Sequence, residues 1–216
     1  MTDRHVPEAT VARLPVYLQA LVEASDGGVS TLSSDELARR TGVNSAKVRK
    51  DLSFLGTYGT RGVGYRVTEL AAQISQVLGL TGDQPIVIVG LGNLGRALAS
   101  YDGFTRRGFR IAALFDADPK KVGMDVAGVP VSPIEELSEV LAAHAIATAV
   151  VAVPAVHAQQ VADALVAGGI TAILNFAPIR LEVPDTVSIR TVDLSTEMQI
   201  LSFYQQAGEN LSAAAG

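Results

Sequence analysis

A short aliphatic run, Ile86-Val87-Ile88-Val89, leads into Gly90-Leu91-Gly92-Asn93-Leu94-Gly95 and then into RALASY, a helix-forming stretch. The run reads as a strand buried on both faces of a parallel sheet. Each glycine after it has a task. Gly90 makes a tight turn, Gly92 lets backbone approach a pyrophosphate, and Gly95 lets the helix pack on the strand. The loop residues Leu91, Asn93 and Leu94 carry the backbone N–H groups and the positive helix end that face phosphate oxygens. The next strand, RIAALFDAD, ends in Asp116. A carboxylate there binds both hydroxyls of an unphosphorylated ribose and repels a 2′-phosphate. The pattern predicts a dinucleotide site suited to NAD+ and NADH rather than to their phosphorylated counterparts.

The following residues complete a βαβ pattern over 84–192. GVPVSP, ATAVVAVP, ITAILNFAP and SIRTVD read as further strands, with helices over Ile134–Ala143 and Ala158–Val166. Ligands bind at the carboxyl ends of strands in such open sheets. Val153 and Pro154, and Asn175, Phe176, Ala177 and Pro178, sit at such ends and line the nicotinamide half. Strand termination accounts equally well for Pro154.

This block does not use the whole chain of 216 residues, which is 48% hydrophobic and 18% charged. Residues 1–80 hold 9 Lys+Arg against 8 Asp+Glu, and 81–216 hold 8 against 14, within a formal charge of -5. Between 39 and 66 the basic residues Arg39, Arg40, Lys47, Arg49, Lys50, Arg61 and Arg66 meet one acid, Asp51. Such clustering suits a confined polyanion-binding surface, although a solvated helix face gives the same count.

The local pattern favours nucleic acid. Ala9–Glu23 reads as a first helix, with Leu14, Leu18, Leu21 and Val22 on one face and Pro15 suited to a first turn. Ser33 and Glu36 form a capping box for a helix ending near Thr41-Gly42, and Asn44 caps another running to about Leu55. This is a helix-turn-helix. Val48, Leu52 and Leu55 face inward on the second helix. Ala46, Lys50 and Ser53 face outward, flanked by Lys47, Arg49 and Phe54, a set suited to a DNA major groove. GTYGTRGVGY then reads as a hairpin with Arg61-Gly62 near its tip, where an arginine can enter a narrow minor groove. Packing of this wing is the first reading of Tyr58 and Tyr65; Tyr58 is also a candidate DNA contact. A helix over Val67–Leu78 closes a winged-helix domain over residues 1–80, and GLTGDQP is the linker.

Other classes fit less well. The chain has no cysteine, which excludes thiolate metal sites, disulfides and thiol-based redox sensing, and a cytoplasmic location is expected. No run approaches about 18 apolar residues, so no membrane span is expected. MTDRHVPEAT lacks the basic-then-apolar order of a secretory signal. No grouped His, Asp and Glu spacing suggests a metal, and no Walker-type lysine suggests NTP hydrolysis. Of His5, His144 and His157, only His157 lies near a strand end, where a surface helix start explains it. No catalytic residue is expected. A small NAD-dependent oxidoreductase is the alternative, and a nucleotide-binding scaffold a further one.

Five stretches together resemble the Rex family of bacterial redox-sensing transcriptional repressors over nearly the whole chain. They are VRKDLSFLGTYGTRGVGY, VGLGNLGRAL with Tyr101-Asp102-Gly103-Phe104, FDADPKKVG, ILNFAP and VDLSTEMQILSFY. The resemblance implies a winged helix-turn-helix joined to a Rossmann domain. It implies a homodimer exchanging its C-terminal helix, here residues 194–207, with Leu194, Met198, Leu201 and Tyr204 as contacts. It implies repression of respiratory and fermentative genes when NADH is scarce, and release from double-stranded operator DNA by NADH. Tyr101 and Asp193 stand where relatives couple nicotinamide occupancy to the DNA-binding domains, and Tyr101 is a cofactor-binding candidate as well. Gln19 stands where some relatives carry an arginine, so Arg13 is the other candidate partner of Asp193.

Overall fold

A computed structural model of the chain describes residues 6–57, 59–60 and 63–213, with side chains described to residue 206. The chain divides into two units, residues 1–82 and 83–216.

The first unit begins with α1 (Glu8–Val11) and α2 (Leu14–Asp26), where the sequence suggested a single helix from Ala9. Pro15 sits in the first turn of α2, which needs no donor there. After β1 (Thr31–Leu32) comes α3 (Ser34–Thr41). The Glu36 N–H donates to Ser33 Oγ at 3.1 Å, and the Ser33 N–H donates back to the Glu36 carboxylate at 2.7 Å. The turn at Gly42 is left-handed, and Asn44 Oδ1 accepts from the Ala46 N–H at 2.8 Å to start α4 (Ser45–Phe54). β2 (Tyr65–Arg66) pairs antiparallel with β1, and α5 (Val67–Val77) closes the unit. Leu14, Leu21, Leu37, Val48, Leu52, Leu70 and Ile74 bury their side chains together.

Asp51 joins that buried face. Its carboxylate accepts from Thr10 Oγ1 at 2.9 Å, from Arg13 Nε and Nη2 at 2.6 and 2.7 Å, and from Tyr17 Oη at 2.7 Å. The donors come from α1, α2 and the turn between them, so one charged group on α4 fixes the first helices against it. Burial alone would raise the Asp51 pKa; the Arg13, Tyr17 and Thr10 hydrogen bonds outweigh it and hold the carboxyl below the usual range. Burial, then the bond to Asp51, raises the Tyr17 phenol.

The second unit is an open sheet. β3 (Gln84–Val89) is followed by α6 (Asn93–Ala99), α7 (Asp102–Thr105) and β4 (Phe109–Asp116). β5 (Asp125–Val126) and β6 (Val129–Pro133) form a hairpin, of which the sequence revealed only the second arm. A 3-10 turn over Ile134–Glu136 precedes α8 (Leu137–His144). β7 (Thr148–Val151), α9 (Ala155–Ala167), β8 (Ala172–Asn175), β9 (Ser188–Thr191) and α10 (Leu194–Ala213) complete the unit. Strand order is β5-β6-β4-β3-β7-β8-β9, parallel apart from β5. β3 is central, and its side chains alternate between faces. Val87 and Val89 join Phe115, Leu141, Val151 and Leu165 on one side, while Ile86 and Ile88 join Leu114, Val131 and Val150 on the other.

Asp51→Asn is expected to destabilise the first unit by about 3 kcal/mol at neutral pH, since it leaves Arg13 without its anion. A carboxylate with a lowered folded pKa contributes stability above its unfolded pKa of about 3.9 and loses it as pH falls through the folded value. The gap between the native chain and the variant should therefore shrink below about pH 4. Hydrogen exchange of α2 and α4 amides across pH checks both points.

Candidate nucleotide site and nucleic-acid interface

The glycine loop links the end of β3 to α6 by close backbone contact. Gly90 has φ +97°, and a Cβ on it would lie 2.7 Å from the Ala152 carbonyl oxygen and from Val153 Cγ1. A Cβ on Gly95 would lie 1.8 Å from the Gly90 carbonyl oxygen. At Gly92 the same atom meets nothing within 4 Å. Two glycines thus let the protein touch itself, and the middle one opens onto free space at a helix start with no side-chain cap. That is the shape a pyrophosphate needs.

Asp116 closes the site from β4. Its carboxylate accepts from the Leu91 N–H at 2.7 Å, the Asp118 N–H at 2.8 Å and Lys121 Nζ at 2.9 Å. Burial by itself would raise its pKa; these donors outweigh it and hold the group below the usual range. Two carboxylate oxygens offer about four acceptor positions, so one stays available to a ribose hydroxyl. Lys121 went unnoticed in the sequence; its signal was a lysine pair just after an Asp-Pro turn.

The remaining expected nucleotide and coupling residues lie at strand ends and helix starts. Val153 lies against Gly90 at the end of β7, and Pro154 precedes α9. Asn175 and Ala177 are buried. The Asn175 amide donates to the Ala177 and Ile179 carbonyls at 3.1 and 3.0 Å, and its Oδ1 accepts from the Ala177 N–H at 2.9 Å. Asn175 therefore shapes the loop carrying Phe176 and Pro178. Leu94 is exposed, while Leu91 is buried behind the loop. Tyr101 is half-exposed at the start of α7. Asp193 sits at the start of α10, where it accepts from the Ser195 hydroxyl and N–H and from the Thr196 hydroxyl; those bonds, Ser195 first, lower its pKa. Arg13 lies on Asp51.

On the first unit, Ala46, Lys47, Arg49 and Lys50 are exposed along α4, with Ser53 and Phe54 partly covered. Arg49 donates to Ser34 Oγ at 2.8 Å and lies 3.9 Å from the Asp35 carboxylate, tying α4 to the start of α3. The wing is carried by β1 and β2 and by a bridge between Thr60 and Gly64. Tyr65 is buried in the core of the unit, as packing of the wing requires. Tyr58, Arg61 and Gly62 lie outside the described residues. Among the described residues no cluster of three His, Cys, Asp or Glu could hold a metal, and no helix is long and apolar enough to cross a membrane.

A winged helix-turn-helix beside a Rossmann sheet with a dinucleotide-type loop defines a class, DNA-binding regulators that carry a nucleotide module. The comparisons agree with each part. Residues 5–53 match the family described as "Putative DNA-binding protein N-terminus", and residues 81–179 match "CoA binding domain". A redox-sensing transcriptional repressor Rex from Streptomyces avermitilis is 59% identical over 98% of this chain and 84% of its own length. Another, from Desulfitobacterium hafniense, is 46% identical over 94% of this chain and 97% of its own. The chain belongs to the Rex family of redox-sensing transcriptional repressors. Crystal structures of RSP, a Rex-family repressor, have the same fold. That of RSP with NAD+ and operator DNA aligns with TM-score 0.89 at 36% identity over 98% of both chains. That with NADH gives 0.86 at 35% identity over 96% of this chain and 98% of RSP.

Two substitutions test the assigned contacts. Lys50→Ala is expected to weaken operator binding and to flatten its salt dependence by about 0.9 in log–log slope, as loss of one phosphate contact requires. Mobility shifts across a salt series measure this. Asp116→Ala removes the carboxylate and frees the Lys121 ammonium, so preference for NADH over NADPH should fall by about tenfold, ~1.4 kcal/mol, in direct titrations.

Proposed function

We propose that this chain is an NADH-responsive repressor that holds operators of respiratory and fermentative genes when NADH is scarce and leaves them when NADH rises. It works in the cytoplasm, where DNA and pyridine nucleotides meet, and it performs no catalysis. The observation that carries the reading is the glycine loop with Asp116 in the same chain as the cationic helix α4. Coenzyme A carries a phosphate on its adenosine ribose, and the Asp116 carboxylate opposes it. That favours NAD+ and NADH as the ligands, and RSP is known with both.

The working unit is a homodimer. On α10, Leu194, Met198, Leu201 and Tyr204 are each at least 60% exposed, an apolar set that a second copy would cover. Two α4 helices related by a twofold axis must meet half-sites about one helical turn apart, ~34–36 Å. Ala46, Lys47, Arg49 and Lys50 read the major groove with Ser53 and Phe54 at its edge, and the wing reaches the minor groove through Tyr58, Arg61 and Gly62.

Release follows if the arrangement of the dimer that binds NADH differs from the one that fits the operator. Moving the population from 1:99 to 99:1 needs a differential affinity of about 5.5 kcal/mol. The reduced and oxidised nicotinamides differ by one charge and in ring planarity, and the Val153–Pro154 and Phe176–Pro178 ends offer an apolar surface that separates them. Tyr101 and Asp193 carry the signal. Arg13 is disfavoured as the partner of Asp193, because withdrawing it from Asp51 would leave a buried carboxylate uncompensated at a cost of about 3–5 kcal/mol.

Binding linkage makes the reading testable. Operator DNA must weaken NADH affinity by the same factor by which NADH weakens operator affinity. Calorimetric titration of NADH with and without operator is expected to show that loss; equal affinities end the proposal. Steady consumption of NADH with candidate carbonyl substrates would favour the oxidoreductase alternative instead.

A further inference from the structure

Tyr101 occupies an unusual place. Its N–H donates to the Leu98 carbonyl at the end of α6, and its own carbonyl accepts from the Phe104 N–H to open α7. The ring then folds back over the turn it starts. It meets Phe104 edge-on, with centroids 5.5 Å apart and planes at 86°, and Phe104 meets Phe109 at 6.5 Å and 80°. Phe104 and Phe109 pack against the Ile86, Ile88 and Leu114 core, so one side of the ring rests on a fixed wall.

What lies beneath the ring is Gly103, which is buried although Tyr101 itself is 51% exposed. A Cβ on Gly103 would stand 2.2 Å from both Cε1 and Cζ of Tyr101 and 2.5 Å from its hydroxyl oxygen. Its three nearest atoms would all belong to that one side chain. Gly103 lies inside α7 with helical backbone, a conformation alanine adopts more readily than glycine. The backbone therefore gives no reason for a glycine here, whereas the Tyr101 ring does.

We propose that Gly103 is a positioning residue for NADH sensing: its missing side chain allows the folded-back placement of Tyr101 and so sets the balance between two placements of that ring. The proposal rests on the reading of Tyr101 as a coupling residue. A single methyl at 103 excludes the folded-back placement and adds no atom to the glycine loop or to α4. Tyr101 is half-exposed, so displacing the ring moves it toward solvent and not into the core. The balance between ring placements enters the NADH response as a population term, so removing one placement shifts the response.

Gly103→Ala, Tyr101→Ala and the double variant are compared with the native chain for operator affinity without NADH and for the NADH concentration that releases half the operator. Gly103→Ala is expected to fold with undiminished thermal stability, to bind operator as the native chain does, and to shift the half-release concentration at least threefold. In the Tyr101→Ala background the same methyl should change it by less than threefold. A smaller shift in Gly103→Ala, or an equal shift with and without Tyr101, overturns the proposal. If Tyr101→Ala alone leaves the response unchanged, the coupling reading of Tyr101 fails, and this proposal with it; if Tyr101→Ala shifts the response and Gly103→Ala does not, only the role of Gly103 fails. A crystal structure of Gly103→Ala checks the steric step separately, and a ring still lying over residue 103 refutes it.

Discussion

The start of α6 presses on the end of β3 so closely that any side chain at Gly95 would enter the Gly90 carbonyl. The nucleotide-binding unit is arranged around that contact. It fixes how far the loop can stand off the sheet, and so which N–H groups point where. With Gly90 pinned against Ala152 and Val153, the ends of β3 and β7 are brought side by side. The Leu91 N–H is directed onto Asp116, which brings in the end of β4. Three strand ends converge, β3 and β7 through the close approach at Gly90 and β4 through the Asp116 carboxylate. The open position at Gly92 is what remains once these contacts are made, and it lies where order reverses in a doubly wound sheet.

The first unit is organised by charge instead. An apolar stripe on a helix as short as α4 leaves its rotation weakly determined, because neighbouring rotations bury similar area. A carboxylate with four directed donors does not share that tolerance. The arrangement has a second effect. Asp51 is the one acid in a basic stretch, and it faces inward. The charged side chains that α4 leaves exposed are then all cations, which is the field a phosphate backbone requires.

Much of this could be read from the chain before any coordinates. The capping box at Ser33, the Asn44 cap, the glycine loop and Asp116 are short-range signals, and each lies where its spacing placed it. Asp51 is different. Its donors come from 34 to 41 residues away, and nothing in the local sequence marks an aspartate just after Arg49 and Lys50 as buried. Lys121 was hidden for a milder form of the same reason, since its use depends on a turn folding back onto the strand end. Asn175 carried a correct location without its bonding: the ending of β8 was visible, but not that its amide is spent on its own loop. The 3-10 start before α8 and the β5 arm escaped because segments of two or three residues carry no periodicity.

The same features limit how the chain can register redox state. It has no cysteine, so thiolate oxidation is closed to it. The two buried carboxylates among the described residues are both held below the ordinary range by their donors, so neither changes charge near neutral pH. The redox signal then enters as a bound molecule whose reduced and oxidised forms differ. The donors on Asp51 tie α4 to its unit, and the close contacts at Gly90 and Gly95 do the same for the loop. These contacts leave the exposed Tyr101 side chain and the exposed apolar residues of α10 outside the fixed parts. A sensor with no thiol, and with its buried carboxylates held as anions, answers to the shape and charge of its ligand.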